Sequence, residues 1–207
     1  MKAGGRCVDE AGAPPTLLFI IGPPAVGKMA VGVEIAGRTG LRLLHNHMSI
    51  EPFLRFFDYG HPSFIRLVED FRKGVVEEVA KSDLPGLIFT FVWAFSLPEE
   101  AETVAGYAAP FAARGGRILY LELECALEER LRRNETSFRL AEKPSKRDTL
   151  NSRQRLLEHE EEYQFSSPGE LRRRDDWLWV DNTLIEPEEV AELAIRHFKL
   201  PILEARI

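Results

Sequence analysis

Gly22-Pro23-Pro24-Ala25-Val26-Gly27-Lys28 follows directly on the apolar run Leu17-Leu18-Phe19-Ile20-Ile21. The spacing is G-x-x-x-x-G-K, which makes chemical sense only between a buried strand and a helix. There the glycines let backbone N–H groups wrap a phosphate chain, the helix N-terminus favours its charge, and the lysine reaches the outer phosphates. Gly22, Pro23, Pro24, Ala25, Val26, Gly27, Lys28, Met29 and Ala30 are therefore the candidate nucleotide-binding residues, with Lys28 also a catalytic cation. Where such a loop carries a Mg²⁺-ligating Ser or Thr after the lysine, this one carries Met29, and Ala30 restores no hydroxyl. A thioether is a poor ligand for a hard cation, so the metal ligands stay open.

Outward from the loop, apolar runs of strand length alternate with helical patterns. Strands are expected at Thr16–Ile21, Leu41–His45, Leu87–Val92, Ile118–Leu123 and Trp177–Val180. Their near-continuous apolar character points to an α/β fold with a parallel sheet covered on both faces. Gly40 stands where a left-handed cap would close the first helix. Phe64, Leu67, Val68, Phe71, Val75 and Val79 keep one helical face apolar. Ser96-Leu97-Pro98-Glu99 reads as a capping box ahead of Val104, Tyr107, Ala108 and Phe111, and Pro187-Glu188-Glu189 opens the last helix.

The 207 residues suit one domain, expected over 16–207, behind a Gly/Ala/Pro-rich stretch (1–15) that lacks the apolar core of a secretory signal and reads as a disordered tail. A net charge of −6 argues against a general affinity for nucleic acid or an anionic membrane. Cys7 and Cys125 are poor material for a disulfide framework, which favours a reducing cytoplasm. No apolar run approaches the roughly 18 residues of a spanning helix.

Between the fourth and fifth strands the rhythm breaks. From Glu128 to Arg174 the chain is heavily charged, with Arg130, Arg132, Arg133, Arg139, Lys143, Lys146 and Arg147 crowded into its first part. A solvated helical hairpin is one reading. A mobile lid, expected over about 128–174, is the other, because phosphoryl transfer is catalysed largely by positioning and by cations around the γ-phosphate.

From Thr16 to Phe198 the chain resembles the shikimate-kinase-like and nucleoside-monophosphate-kinase-like group of small P-loop kinases, on the phosphate loop, the basic lid segment and Asp181-Asn182-Thr183 after the fifth strand. It also looks like bacterial proteins labelled AAA-type ATPases or kinases that carry a Gly-Lys-Met loop and a His-Asn-His strand end. The resemblance implies a three-layer fold with a five-stranded parallel sheet in order 2-3-1-4-5 and a helical lid. It implies ATP as phosphoryl donor with Mg²⁺. Arg130 or Arg133 would hold adenine against Asp181, Asn182 and Thr183, and Arg133 and Arg139 would act as catalytic lid cations. The partners implied are a nucleoside triphosphate and a small-molecule acceptor, in a monomer or homodimer. One departure stands beside Met29: the third strand, Phe89-Thr90-Phe91-Val92, ends without the usual metal-orienting carboxylate.

On the acceptor side, strand alternation puts His45 and His47 on one face. An imidazole titrates near neutrality, so His47 is a candidate base or acceptor contact; two histidines do not complete a metal site, and a purely structural role competes. Ser49-Ile50-Glu51-Pro52 opens a short helix in which Arg55 is a candidate anion grip and Asp58 a fallback base. Phe53, Phe56 and Trp93 are candidate apolar walls, with core packing the competing reading. Two functions remain: an ATP-dependent phosphotransferase acting on a small molecule, or a nucleotide-binding regulator or slow hydrolase with a degenerate metal site.

Overall fold

The computed structural model describes residues 14–136, 145 and 148–203. Most of the expected tail, and Arg139, Lys143, Lys146 and Arg147 of the basic run, lie outside them. In chain order the elements are β1 (Thr16–Ile21), α1 (Lys28–Thr39), β2 (Arg42–Leu44), α2 (Asn46–Ile50), a 3-10 turn (Phe53–Arg55), α3 (Pro62–Lys81), β3 (Gly86–Phe91), α4 (Pro98–Ala112) and β4 (Arg117–Glu124). There follow α5 (Leu127–Asn134), α6 (Thr149–Glu162), a second 3-10 turn (Leu171–Arg173), β5 (Trp177–Asp181) and α7 (Pro187–Phe198).

The five strands pair in parallel in the order β2-β3-β1-β4-β5, as expected. Central β1 is buried along its whole length because each face has its own core. Leu18 and Ile20 pack with Val31 and Ile35 of α1 and with Val190, Ala194 and Phe198 of α7. Leu17, Phe19 and Ile21, offset by one residue, pack with Val76 and Val79 of α3 and with Val104, Tyr107 and Phe111 of α4. A third, smaller cluster joins Ile50, Phe64 and Val68 to Phe53, Leu54 and Phe57, beyond β2. Parallel pairing aims every strand's C-terminal end at one edge, where the phosphate loop also lies.

Several local expectations are corrected. β2 ends at Leu44, short of His45, because Asn46 N–H donates to Thr90 Oγ1 (3.0 Å) and Met48 N–H to the His45 carbonyl, turning the chain into α2. His45 is the residue before that helix and His47 lies within it, so strand alternation does not relate them. The capping box does not form: Leu97 precedes α4, Ser96 Oγ accepts from Gln164 N–H, and Glu100 reaches back to Ala94 N–H. In α3 the buried stripe runs Phe64, Val68, Val76, Val79 and Ala80, with Phe71 exposed. Gly40 does close α1 in the left-handed region.

Candidate active site

β1 delivers Gly22 to the sheet edge with φ 135°, and a Cβ there would stand 2.2 Å from the Leu123 carbonyl oxygen of β4. Only glycine lets the loop leave the sheet so close to its neighbour. Gly27, at φ 114°, starts α1, and Ala25 also sits in the left-handed region, a strain that surrounding structure must maintain. Lys28 Nζ donates to the carbonyls of Gly22 (2.6 Å) and Pro23 (2.7 Å). The loop's other side is tied down at the Val26 carbonyl, which accepts from Asn182 Nδ2 (2.9 Å) and Arg133 Nη1 (3.0 Å). Arg133 Nη2 also donates to the Asn182 carbonyl (2.8 Å), and its Nε to Glu129 (2.7 Å). Hydrogen bonds from Arg132 and then Arg133 lower the Glu129 carboxyl to about 2. Asp181 accepts from the Thr183 N–H and hydroxyl, and Thr183 Oγ1 accepts from Ala126 N–H, so the loop after β5 is fixed against the start of α5.

From this loop a cleft of about 1370 Å³ runs toward α2 and α3. At its far end His47 is buried, with Nδ1 2.8 Å from Glu51 Oε1. The same carboxylate accepts from Ser145 Oγ (2.6 Å) and Ser145 N–H (3.2 Å), joining α2 to the segment between α5 and α6. Arg72 of α3 donates to Ser49 Oγ (2.8 Å) and to Asn46 Oδ1. Burial lowers its guanidinium from the usual arginine range, with Tyr107 opposing, and among the described residues it has no carboxylate within 4 Å. Burial likewise raises the Glu100 carboxyl, partly offset by the bond from Ala94 N–H.

Pro24 to Ala30, His47, Arg133, Asn182 and Thr183 all line this cleft. Gly22 and Pro23 lie behind it, supporting Lys28. Asp181 stands outside as the partner of Thr183. Arg130 also lies outside, because it turns into the seam between α5 and α6, where it pairs with Glu160 and lines a separate cavity of about 100 Å³. His45 does not line the cleft, and the 3-10 turn points Leu54 into it while leaving Arg55 and Asp58 exposed outside. Neither Phe53 nor Phe56 forms a wall, and Phe56 is 75 % exposed. Trp93 is buried, its ring stacked on Phe95 (4.6 Å between centroids) and near Trp177 (6.1 Å), so it belongs to the core. Arg139 falls outside the described residues.

Sequence reasoning missed Arg72, Glu51 and Glu100. A signal for Arg72 exists: Phe64, Val68, Arg72, Val76 and Ala80 recur every fourth residue, so a cation interrupts a buried stripe. For Mg²⁺ the residues do not fit. Met29 and Ala30 face the cleft where a ligating hydroxyl would stand, Thr90 Oγ1 is used by Asn46, and no cluster of three metal-binding side chains occurs among the described residues.

No protein-family model matches the sequence, and no curated protein matches it. Solved structures do. A sugar kinase from Janibacter sp. HTCC2649 is 16% identical and superposes with a TM-score of 0.53, over 90% of this chain and 96% of its own. Shikimate kinase from Aquifex aeolicus is 16% identical with a TM-score of 0.51, over 89% and 96%. The Mycobacterium tuberculosis APS kinase, solved with AMPPNP and APS, is 14% identical with a TM-score of 0.51, over 90% and 98%. At such identities the likeness speaks for architecture: this chain has the fold of the small P-loop kinases.

Proposed function

We propose that the protein is an ATP-dependent phosphotransferase whose acceptor is a small molecule bearing a hydroxyl group. The observation that carries this reading is one continuous cleft with a lysine-bearing phosphate loop at one end and a half-buried arginine and a buried histidine at the other. An ordinary small-molecule pocket measures roughly 300–1,000 Å³, so this one has room for a nucleotide and a second substrate together.

In this reading Lys28 and the N–H groups from Ala25 to Met29 hold the donor phosphates, while Asn182 and Thr183 face the base. Arg133 holds the two loops in register, and Arg139 belongs to the proposed lid. The acceptor oxygen forms a bond to the γ-phosphorus, the bond from that phosphorus to the β–γ bridging oxygen breaks, and ADP leaves. With His47 Nδ1–H donated to Glu51, Nε2 carries the lone pair that takes the hydroxyl proton. Arg72 takes the anion-gripping role for which Arg55 is a sequence candidate. No step is assigned to Mg²⁺.

Met29 and the absence of a carboxylate at the end of β3 favour a second reading, a nucleotide-binding regulator or slow hydrolase. ADP release measured with and without an acceptor panel separates the two. Acceptor-dependent ADP release that disappears in Lys28→Ala supports the transferase; nucleotide binding with no acceptor-dependent turnover supports the regulator.

A further inference from the structure

We infer that the acceptor is an amphiphilic hydroxy acid, a molecule with an apolar body and one anionic group, rather than a polyhydroxylated sugar or polyol acid. This deepens the transferase reading and rests on it. The acceptor end is walled by Ile50, Leu54, Phe64, Ile65 and Val68, apolar side chains of α2, the first 3-10 turn and α3. They belong to the third apolar cluster or border it, and that cluster stands apart from both sheet cores. Tyr59 and Ile65 line the cleft yet are 65 % and 48 % exposed, so the mouth on this side is apolar too. A ligand with an apolar body removes that surface from water, worth roughly 25 cal/mol per Å² covered.

A polyol needs donors and acceptors distributed at the spacing of its hydroxyls. Among the described residues of α2, the first 3-10 turn and α3 that line this cleft, Arg72 is the single arginine or lysine, and Asn46 and Ser49 are already engaged in holding that side chain. A guanidinium facing a cleft, with burial opposing its charge and no carboxylate in ion-pair range, calls for an anion from the ligand. Glu69, the nearest acidic residue on the same helix, pairs with Lys73. The apolar wall and the Arg72 cation set into it together describe the ligand.

The test uses calorimetry on the full chain loaded with a non-hydrolysable ATP analogue. Three probes are titrated: 3-phenyllactate, which has both features; 3-phenyl-1,2-propanediol, which keeps the ring and lacks the anion; and gluconate, which keeps the anion and lacks the apolar body. Phenyllactate should bind at least about tenfold more tightly than either. Arg72→Gln should erase its advantage over the diol. Ile65→Glu, at a half-exposed position the fold tolerates, should erase its advantage over gluconate without changing affinity for the ATP analogue. Gluconate binding as well as phenyllactate, the diol binding as well as the acid, or no probe binding overturns the inference. With ATP in place of the analogue, phosphorylation of gluconate in preference to phenyllactate would overturn it while leaving the transferase reading intact. Failure of the protein to bind the ATP analogue at all would remove the transferase reading itself.

Discussion

The guanidinium of Arg133 holds the carbonyl oxygen of Val26 at 3.0 Å, across 107 positions of chain. One side chain of α5 thereby fixes the curvature of the phosphate loop, and through the Asn182 carbonyl it fixes the loop after β5 as well. Arg133→Ala should weaken binding of an ATP analogue by about tenfold or more and speed hydrogen exchange over residues 22–29. Unchanged affinity together with unchanged exchange would show that the loop keeps its shape without the arginine.

Lys28 lies beside the carbonyls of Gly22 and Pro23, poised at the centre of the loop. If it holds the donor phosphates as proposed, its removal deletes a charge-assisted contact worth roughly 1.5–3 kcal/mol, and Lys28→Ala should bind ATP about tenfold more weakly or worse. Calorimetry on a variant whose melting curve is intact checks this.

Met29 is only 7 % exposed, so it packs as well as facing the cleft. Met29→Ser should lower stability by roughly 2–5 kcal/mol, in the range of large-to-small core changes. It should also add a hydroxyl at the position where a cation ligand is expected, making nucleotide affinity more dependent on Mg²⁺. Titrations with and without the cation measure the change. Equal Mg²⁺ dependence in the two proteins would mean the cation is held without that position.

Glu129 has its carboxyl lowered to about 2 by Arg132 and Arg133, from a usual 4.5. A depressed folded-state value means that the ionised group stabilises the fold above about pH 4.5 and that this contribution is lost as pH falls toward 2. Melting curves of the wild type and Glu129→Gln should therefore differ near neutrality and converge as pH drops through that window. A constant gap across the window would assign the effect to packing.

The segment from Arg130 to Arg147 is proposed as a lid over bound nucleotide. Adding a non-hydrolysable ATP analogue should increase exchange protection over residues 130–147. Protection confined to residues 22–29 would leave the segment as a solvated hairpin.

What could be read from sequence follows from how local the physics is. The loop and β1 are legible because spacing, glycine placement and an unbroken apolar run act within a dozen residues. Gly40 is legible for the same reason. The His45/His47 alternation fails because β2 ends at Leu44 and a hydrogen bond from Asn46 N–H to Thr90, 44 positions away, turns the chain into a helix. Trp93 stacks on Phe95, but its place near Trp177 joins the end of β3 to a strand distant in sequence. Arg55 and Arg72 look equally plausible as letters. The direction each side chain takes depends on which face of its element meets the cleft, and only the fourfold recurrence through Phe64, Val68 and Val76 hints at the right one.

The two ends of the cleft rest on unequal foundations. The phosphate loop is mounted on β1, a strand clamped between two cores, so a change there is felt on both faces of the sheet at once. The proposed acceptor wall is mounted on the small third cluster, three of whose six members are only partly buried. Substitutions along that wall can reshape what is recognised while leaving the donor machinery undisturbed. Under the proposed function, substitutions that change acceptor preference should be found where α2 and α3 meet rather than beneath the loop.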